Sequence, residues 1–284
     1  MILLNVFNTR EIATIIWLSA ILVYMIVNKK IRASLYELIK SFCHWKILVP
    51  VILMIVYTGG IIVFLYQIGF WTTSLLKDAI IWGCLTGFTM LMNSASSKEN
   101  NYFRKTIMDN LKIVMIIEFL VNTYTFSLIG ELIFLPFITL VIIMQTIAKM
   151  EEKYIEVEKI LGWVQSFIGI FILIFVLKNI ISNFSSFANG DTLRQLFLAP
   201  ILTFAFLPFI YVVSVIATYD LIFIRLEFGS KKSKKLKKYA KGKIAKYCML
   251  NLKRVKYLLT HHIHTLLNLE TKEDVDKMIE SLKG

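Results

Sequence analysis

The sequence predicts an all-α membrane protein with about seven transmembrane helices and a cytoplasmic helical tail. Three observations predict this class. Apolar residues make up 57% of the 284 residues and charged residues 18%, whereas soluble domains average about 45–50% and about 25%. Long apolar runs alternate with short polar connections, and the basic residues gather in alternate connections. A soluble fold could not cover so much apolar surface.

Seven apolar runs reach the length of a membrane span, which is about 20 residues. They cover residues 11–28, 47–69, 76–94, 112–129, 131–148, 162–182 and 196–224. The last run is longer than a bilayer requires, so it must tilt, kink or leave the membrane. Pro200 and Pro208 within it favour a kink.

The positions of lysine and arginine predict the orientation, because connections on the cytoplasmic side carry an excess of both. With seven spans, 28 of the 32 basic residues fall on the side of the C-terminus and three on the side of the N-terminus. Lys178, near the outer end of the sixth span, completes the total. The sequence therefore predicts an outer N-terminus and a cytoplasmic C-terminus.

The chain divides into a transmembrane helical domain, 1–228, and a basic cytoplasmic helical domain, 229–284. Within the second domain, hereafter the basic tail, apolar residues recur at helical spacing over 244–268. Thr271 and Asp274 have the spacing of a capping box, which predicts a last helix over 273–282. Between the first two spans, segment 31–46 is amphipathic. It is either an interfacial helix or an extension of a neighbouring span.

Polar side chains inside the spans are candidates for a pore or gate. An acidic residue inside hydrocarbon costs about 2.5–3.5 kcal/mol and usually faces a bundle interior or water. The candidates are Glu118, Asn122 and Thr125 of the fourth span and Thr86, Thr89 and Asn93 of the third. Hydrogen bonding between packed helices is the alternative, and for the threonine and asparagine residues it is the favoured one.

The basic tail is the main candidate for ligand binding. Residues 225–268 hold thirteen basic side chains and one acidic one, Glu227. Anionic lipid, an acidic protein partner and a polyanion such as nucleic acid all fit this charge. The predicted polyanion-binding residues are Lys231, Lys232, Lys234, Lys235, Lys237, Lys238, Lys241, Lys243, Lys246, Lys253, Arg254 and Lys256.

No pattern typical of an enzyme, a cofactor or a metal site is present in the sequence. His261 and His264 could share a helix face, but a zinc site needs further ligands at suitable spacing. The three cysteines, Cys43, Cys84 and Cys248, share no short motif, so they are expected to be free thiols. We therefore expect neither catalysis nor a bound cofactor or metal.

Spans that end near Phe228 and a basic tail from Lys231 together resemble membrane effectors of bacterial anti-phage defence. Among these, the layout is most similar to the transmembrane-effector family of the Hailong system. This resemblance implies a homo-oligomeric channel, a tetramer, in the bacterial inner membrane with a periplasmic N-terminus. It also implies a single-stranded oligonucleotide ligand made by a companion nucleotidyltransferase.

Three functional hypotheses follow. The first is an oligomeric channel or membrane-disrupting effector that a polyanion on the basic tail controls. The second is a small secondary transporter that uses Glu118 as its coupling carboxylate. The third is a membrane scaffold whose tail binds anionic lipid or a cytoplasmic partner.

Overall fold

The computed structural model describes residues 7–96, 119–228, 233–262, 265–266 and 269–282. Throughout these residues the regular structure is helical, so the predicted all-α class is confirmed. The chain forms two compact units. Unit 1 comprises Met1–Ile47 and Asn110–Leu198, and unit 2 comprises Leu48–Asp109 and Ala199–Gly284.

The helices have the following bounds. In chain order they are α1 Thr9–Val27, α2 Lys29–Phe42, α3 Trp45–Gln67, α4 Leu76–Trp82, α5 Phe88–Ser96, α6 Leu128–Ala148, α7 Ile155–Ser182, α8 Phe184–Phe187, α9 Gly190–Phe228, α10 Lys234–Cys248, α11 Leu252–His261 and α12 Lys272–Ser281. A π-helical segment, Gly83–Gly87, joins α4 to α5.

Six helical stretches in the described part of the chain are long and apolar enough to cross a membrane. They match the predicted spans except the fourth, 112–129, whose residues 112–118 lie outside the described residues. Residues 119–123 are helical, and the chain then leaves the helix before α6 begins at Leu128. The predicted end of the fourth span at 129 was therefore too late, because Ser127 already caps the next helix. The number seven stays a prediction.

The apolar helices expose many large apolar side chains, whose contact with water is unfavourable. On α7, Trp163 is 77% and Phe167 is 76% exposed. Contiguous apolar surface of this kind marks contact with lipid or with another protein. Together with helix length and hydropathy, it supports a multi-pass membrane protein.

Segment 31–46 forms a helix of its own rather than an extension of a span. Asn28 ends α1 in an extended conformation, and its side chain accepts a hydrogen bond from the backbone N–H of Lys30 at the start of α2. Cys43 and His44 then separate α2 from α3. Asparagine suits the start of α2 because its short side chain can accept a hydrogen bond from a backbone N–H that has no partner within the helix.

In unit 2, the stretch from Thr73 to Ser94 packs against α9. The indole N–H of Trp82 donates to the hydroxyl of Thr203 at 3.1 Å, and its ring meets Phe206 edge-on, with centroids 5.4 Å apart. The hydroxyl of Ser214 donates to the carbonyl of Ser94 at 3.1 Å. Helix α9 itself continues through both of its prolines to Phe228, beyond the predicted end at 224.

The basic tail folds as helices that share one core with the end of α9. Ile222 and Leu226 of α9 lie in the same buried cluster as Ile244, Val255 and Val275 of the tail. The prediction of one helix over 244–268 was wrong, because a turn at residues 249–251 separates α10 from α11. The predicted capping box of the last helix is confirmed.

Candidate polyanion site in the basic tail

Helix α10 places its lysines on the surface because its apolar residues recur every four positions. Leu236, Ala240, Ile244 and Cys248 are all buried in the core of the tail. Residues at this spacing share one helix face, so the lysines between them take the flanks and the outer face. The dense lysines hid this pattern in the sequence, and α10 begins ten residues before the predicted start.

Three of the predicted polyanion-binding lysines make contacts inside the protein. Lys241 forms an ion pair with Glu227 at 2.7 Å, and Lys237 donates to the backbone carbonyl of Glu227 at 3.1 Å. Lys243 lies 2.8 Å from Asp276 of α12. The hydrogen bond between these last two side chains raises the pKa of Lys243 and lowers the pKa of Asp276. These three lysines therefore join α10 to α9 and to α12.

Other lysines of the tail are exposed on its surface and form no ion pair with a described residue. They are Lys234, Lys235, Lys238, Lys246 and Lys253. Lys231 and Lys232 lie outside the described residues. The exposed lysines give the tail an uncompensated positive charge, which attracts polyanions over distances of about a Debye length.

An open groove of about 440 Å³ runs along the outer face of α11. It is lined by Tyr247, Lys253, Arg254, Lys256, Tyr257, Thr260, His261 and Leu282. The rings of Tyr257 and His261 are stacked with centroids 4.4 Å apart, and the guanidinium of Arg254 lies over Tyr247 at 5.3 Å. Partial burial lowers the pKa of Lys256. The groove thus combines cations with aromatic faces, which is what single-stranded nucleic acid requires.

The structure brings three of the predicted polyanion-binding residues into this groove, namely Lys253, Arg254 and Lys256. Tyr247 and Tyr257 stand next to basic residues in the sequence, and this spacing was the available signal for the aromatic side of the groove. Thr260 and Leu282 were not predicted, because their approach to the basic residues depends on how α11 and the end of α12 pack.

The predicted pore or gate residues do not form one described cluster. Glu118 lies outside the described residues. Thr125 was predicted inside the fourth span, but it lies beyond the helical residues 119–123, and its hydroxyl lies 2.6 Å from that of Thr9. Both belong to unit 1.

The third-span candidates belong to unit 2. Thr86 lies within the π-helical segment and is half-buried, whereas Thr89 and Asn93 are exposed. Thr89 and Asn93 therefore lie on the surface of unit 2, and Thr86 is only partly accessible.

A buried ion pair in unit 1 was missed from the sequence. The guanidinium of Arg10 lies 2.9 Å from a carboxylate oxygen of Glu131, which has no exposed side-chain surface. The carboxylate of Glu131 also accepts a hydrogen bond from the backbone N–H of Phe126, with an N···O distance of 3.0 Å. The available signal was that one acidic and one basic residue lie on the same predicted side of the membrane, each at the start of an apolar run.

Among the described residues, no group of three His, Cys, Asp or Glu side chains could hold a metal ion. His264 lies outside them, so the predicted relation between His261 and His264 stays untested. Cys43 and Cys84 are exposed, and Cys248 is buried, each as a free thiol. Burial raises the pKa of Cys248 to about 11, which makes that thiol unreactive at neutral pH.

Fold and site together define a multi-pass helical membrane protein with a basic helical tail built onto its last apolar helix. No protein-family model, curated protein or solved structure matches the chain.

Proposed function

We propose that the protein is an oligomeric membrane channel, or a membrane-disrupting effector, controlled by a short oligonucleotide in the groove of its tail. One observation carries the proposal. The helices that form the groove share a buried core with Ile222 and Leu226 of the apolar helix α9. A ligand that favours one arrangement of the tail therefore favours one arrangement of α9, by as much as its affinity for the two states differs.

The composition of the groove supports an oligonucleotide as the ligand. Lys253, Arg254 and Lys256 supply charge for phosphates, and Tyr257 with His261 supplies a stacking surface. Base stacking on an aromatic side chain contributes about 1–3 kcal/mol per base and tolerates any sequence. The resemblance to anti-phage effectors points to the same ligand, made by a companion nucleotidyltransferase, and to a tetramer in a bacterial inner membrane.

An exposed polar side chain on a span supports assembly around a water-filled path. Thr89 lies on the outside of unit 2, just after the π-helical segment. Polar groups within a membrane span usually face a bundle interior or water rather than lipid, and π-helical turns are frequent at functional sites. Contact with a second copy of the chain, or with a pore, would meet that requirement.

The contact between Arg10 and Glu131 supports the seven-span topology. It places the start of α1 and the start of α6 at the same end of unit 1. Between the start of α1 and the start of α6 the seven-span topology has four spans, and four crossings return the chain to the membrane face from which it began. Three crossings would leave the start of α6 on the opposite face. The outer N-terminus and cytoplasmic tail follow from this count and from the excess of basic residues on one side.

The test is ion flux through liposomes that contain the full-length protein, with and without short single-stranded DNA. We expect flux whose rate changes on addition of DNA. The double variant Lys253→Glu, Lys256→Glu should conduct but no longer respond, whereas the control Lys277→Glu on the exposed side of α12 should respond normally. Absence of flux would rule out the channel, and flux indifferent to DNA would rule out its regulation.

A further inference from the structure

The turn between α10 and α11 has an apolar tip. In the part of the tail that the structure describes, the large apolar side chains exposed to solvent are Met249, at 68%, Leu250, at 65%, and Tyr257 of the groove. Residues 247–252 carry no charge, and Lys246 and Lys253 stand at either end of this stretch. Among the described residues of the tail, large exposed apolar side chains are therefore confined to this tip and the groove.

The backbone of the tip favours glycine, yet the residue there is large and apolar. The backbone of Met249 has φ 46° and ψ −130°, a conformation that residues other than glycine rarely adopt. The turn is nevertheless tightly held, since the N–H of Asn251 donates to the carbonyl of Cys248 at 2.9 Å and the Asn251 side chain caps α11. Strained backbone of this kind persists where the surrounding structure imposes it, and it clusters at functional positions.

Two tyrosines of α9 hold the tip against the apolar helix. The hydroxyl of Tyr219 donates to the carbonyl of Met249 at 2.7 Å, and the hydroxyl of Tyr211 donates to the carbonyl of Leu250 at 2.8 Å. The Tyr211 hydroxyl also accepts the N–H of Leu252 at 3.2 Å. Tyrosine is enriched at the boundary between membrane and water, where its ring and its hydroxyl are both satisfied.

The charges along α9 and α10 locate that boundary at the tip. Helix α9 has no charged residue between Arg194 and Asp220, a stretch of about 37 Å at 1.5 Å per residue, against about 30 Å of hydrocarbon. Tyr211 and Tyr219 lie in the half of this uncharged stretch that is nearer to Asp220. Helix α10 returns along this end of α9, and its exposed lysines cannot enter hydrocarbon. Residues 247–252 are an uncharged stretch of the tail, and they lie beside Tyr211 and Tyr219.

We propose that the α10–α11 turn inserts Met249 and Leu250 into the lipid leaflet next to the tail, with anionic lipid headgroups bound by the basic residues beside it. Lys246 lies outside the groove and is the exposed cation nearest the tip on the α10 side. Lys253 and Arg254, on the α11 side, are also exposed and line the groove as well. An apolar tip flanked by cations is complementary to an anionic bilayer surface, where each basic residue adds to the attraction. An oligonucleotide would satisfy the cations but would leave the aliphatic tip in water. The proposal does not rest on channel activity or on oligonucleotide binding.

The test is a fluorescence measurement on the full-length protein in lipid nanodiscs. In a Cys43→Ser, Cys84→Ser background, Leu250→Cys is labelled with an environment-sensitive fluorophore, and Lys277→Cys on α12 is the matched control. We expect brominated acyl chains to quench the label at 250 and not at 277. Replacing a zwitterionic lipid by one with anionic headgroups should increase the quenching at 250 severalfold.

Cys248 serves as the internal check of folding, because its buried thiol should stay unlabelled in every variant. If Leu250→Cys exposes Cys248, Met249→Cys gives the same reading from the neighbouring position. Equal quenching at 250 and 277, or no quenching at the tip in anionic lipid, would overturn the proposal.

Discussion

Arg10 and Glu131 are 121 residues apart in the chain, and they form a bidentate ion pair around a carboxylate that is fully buried. The third guanidinium nitrogen of Arg10, Nη1, donates to the carbonyl of Val121 at 3.0 Å. The pair thus joins the first turn of α1 to the first turn of α6, and the bond to Val121 joins α1 to the segment before α6. The ion pair matters for stability because Glu131 is buried. Without Arg10, the carboxylate of Glu131 would have no counter-charge.

Replacing Arg10 should strongly destabilise unit 1. We expect Arg10→Ala to lower the free energy of unfolding by about 3–5 kcal/mol, because it leaves a buried charge unpaired. The matched control is Arg194→Ala, which removes an exposed ion pair with Asp191 and should cost about 0–1 kcal/mol. Thermal unfolding in detergent measures both. Equal effects of the two variants would contradict the structural role assigned to Glu131.

The hydrogen bond between Trp82 and Thr203 should stabilise unit 2. Thr203→Val keeps the shape of the side chain but leaves the buried indole N–H without its acceptor, which should cost about 1–3 kcal/mol. Thr139→Val is the control, because that hydroxyl is exposed and donates to the carbonyl of Leu135 in its own helix. Its effect should stay within about 0.5 kcal/mol. If Thr203→Val no longer lowers stability in a Trp82→Phe background, the indole N–H of Trp82 is confirmed as the hydrogen-bond partner of Thr203.

The core of the tail should protect Cys248 from modification. Leu258→Ala opens a cavity in that core and should lower the free energy of unfolding by about 2–5 kcal/mol. The buried thiol, whose pKa burial raises to about 11, should then react much faster with a thiol reagent at pH 7. Leu250→Ala removes an exposed side chain of similar size and should leave the rate unchanged. Slow modification in both variants would show that the tail does not depend on this core.

Binding of single-stranded DNA to the groove should weaken with salt. The slope of log K against log salt is about −0.7 per phosphate contact. Lys253→Ala should therefore make the slope shallower by about 0.7, and Lys277→Ala should leave it unchanged. Tyr257→Ala should instead weaken binding at every salt concentration, by about 1–3 kcal/mol, because it removes a stacking surface. Fluorescence anisotropy with labelled DNA separates the two effects.

Acid should destabilise the packing of α12 on α10. The side chain of Lys243 lowers the pKa of Asp276, and the hydroxyl of Thr271 lowers the pKa of Asp274. Carboxylates with a lowered folded pKa stabilise the protein above the unfolded value of about 3.9, and this contribution is lost as the pH falls through the folded pKa. The thermal midpoint should therefore hold between pH 7 and 5 and fall below pH 4. Asp276→Asn should reduce that fall, and an unchanged profile would refute the coupling.

Periodicity and charge predicted the spans because both are local properties of the chain. Apolar runs such as those of α3 and α7 must be helical in lipid, where every backbone group has to be satisfied within its own segment. The capping box at Thr271 is equally local and was predicted correctly. The break at residues 249–251 was missed because the apolar pattern continues in register across it.

By itself, the sequence determined that this is an all-α, multi-pass membrane protein with a strongly basic tail, because hydropathy, helix length and charge are read residue by residue. Only the tertiary structure decided which charges are used. It buried Glu131 beside Arg10, engaged Lys237, Lys241 and Lys243 in contacts within the protein, and brought Leu282 beside Lys253, Arg254 and Lys256 in one groove. Such contacts join residues that are distant in the sequence, and neither composition nor residue spacing predicts which distant residues pack together.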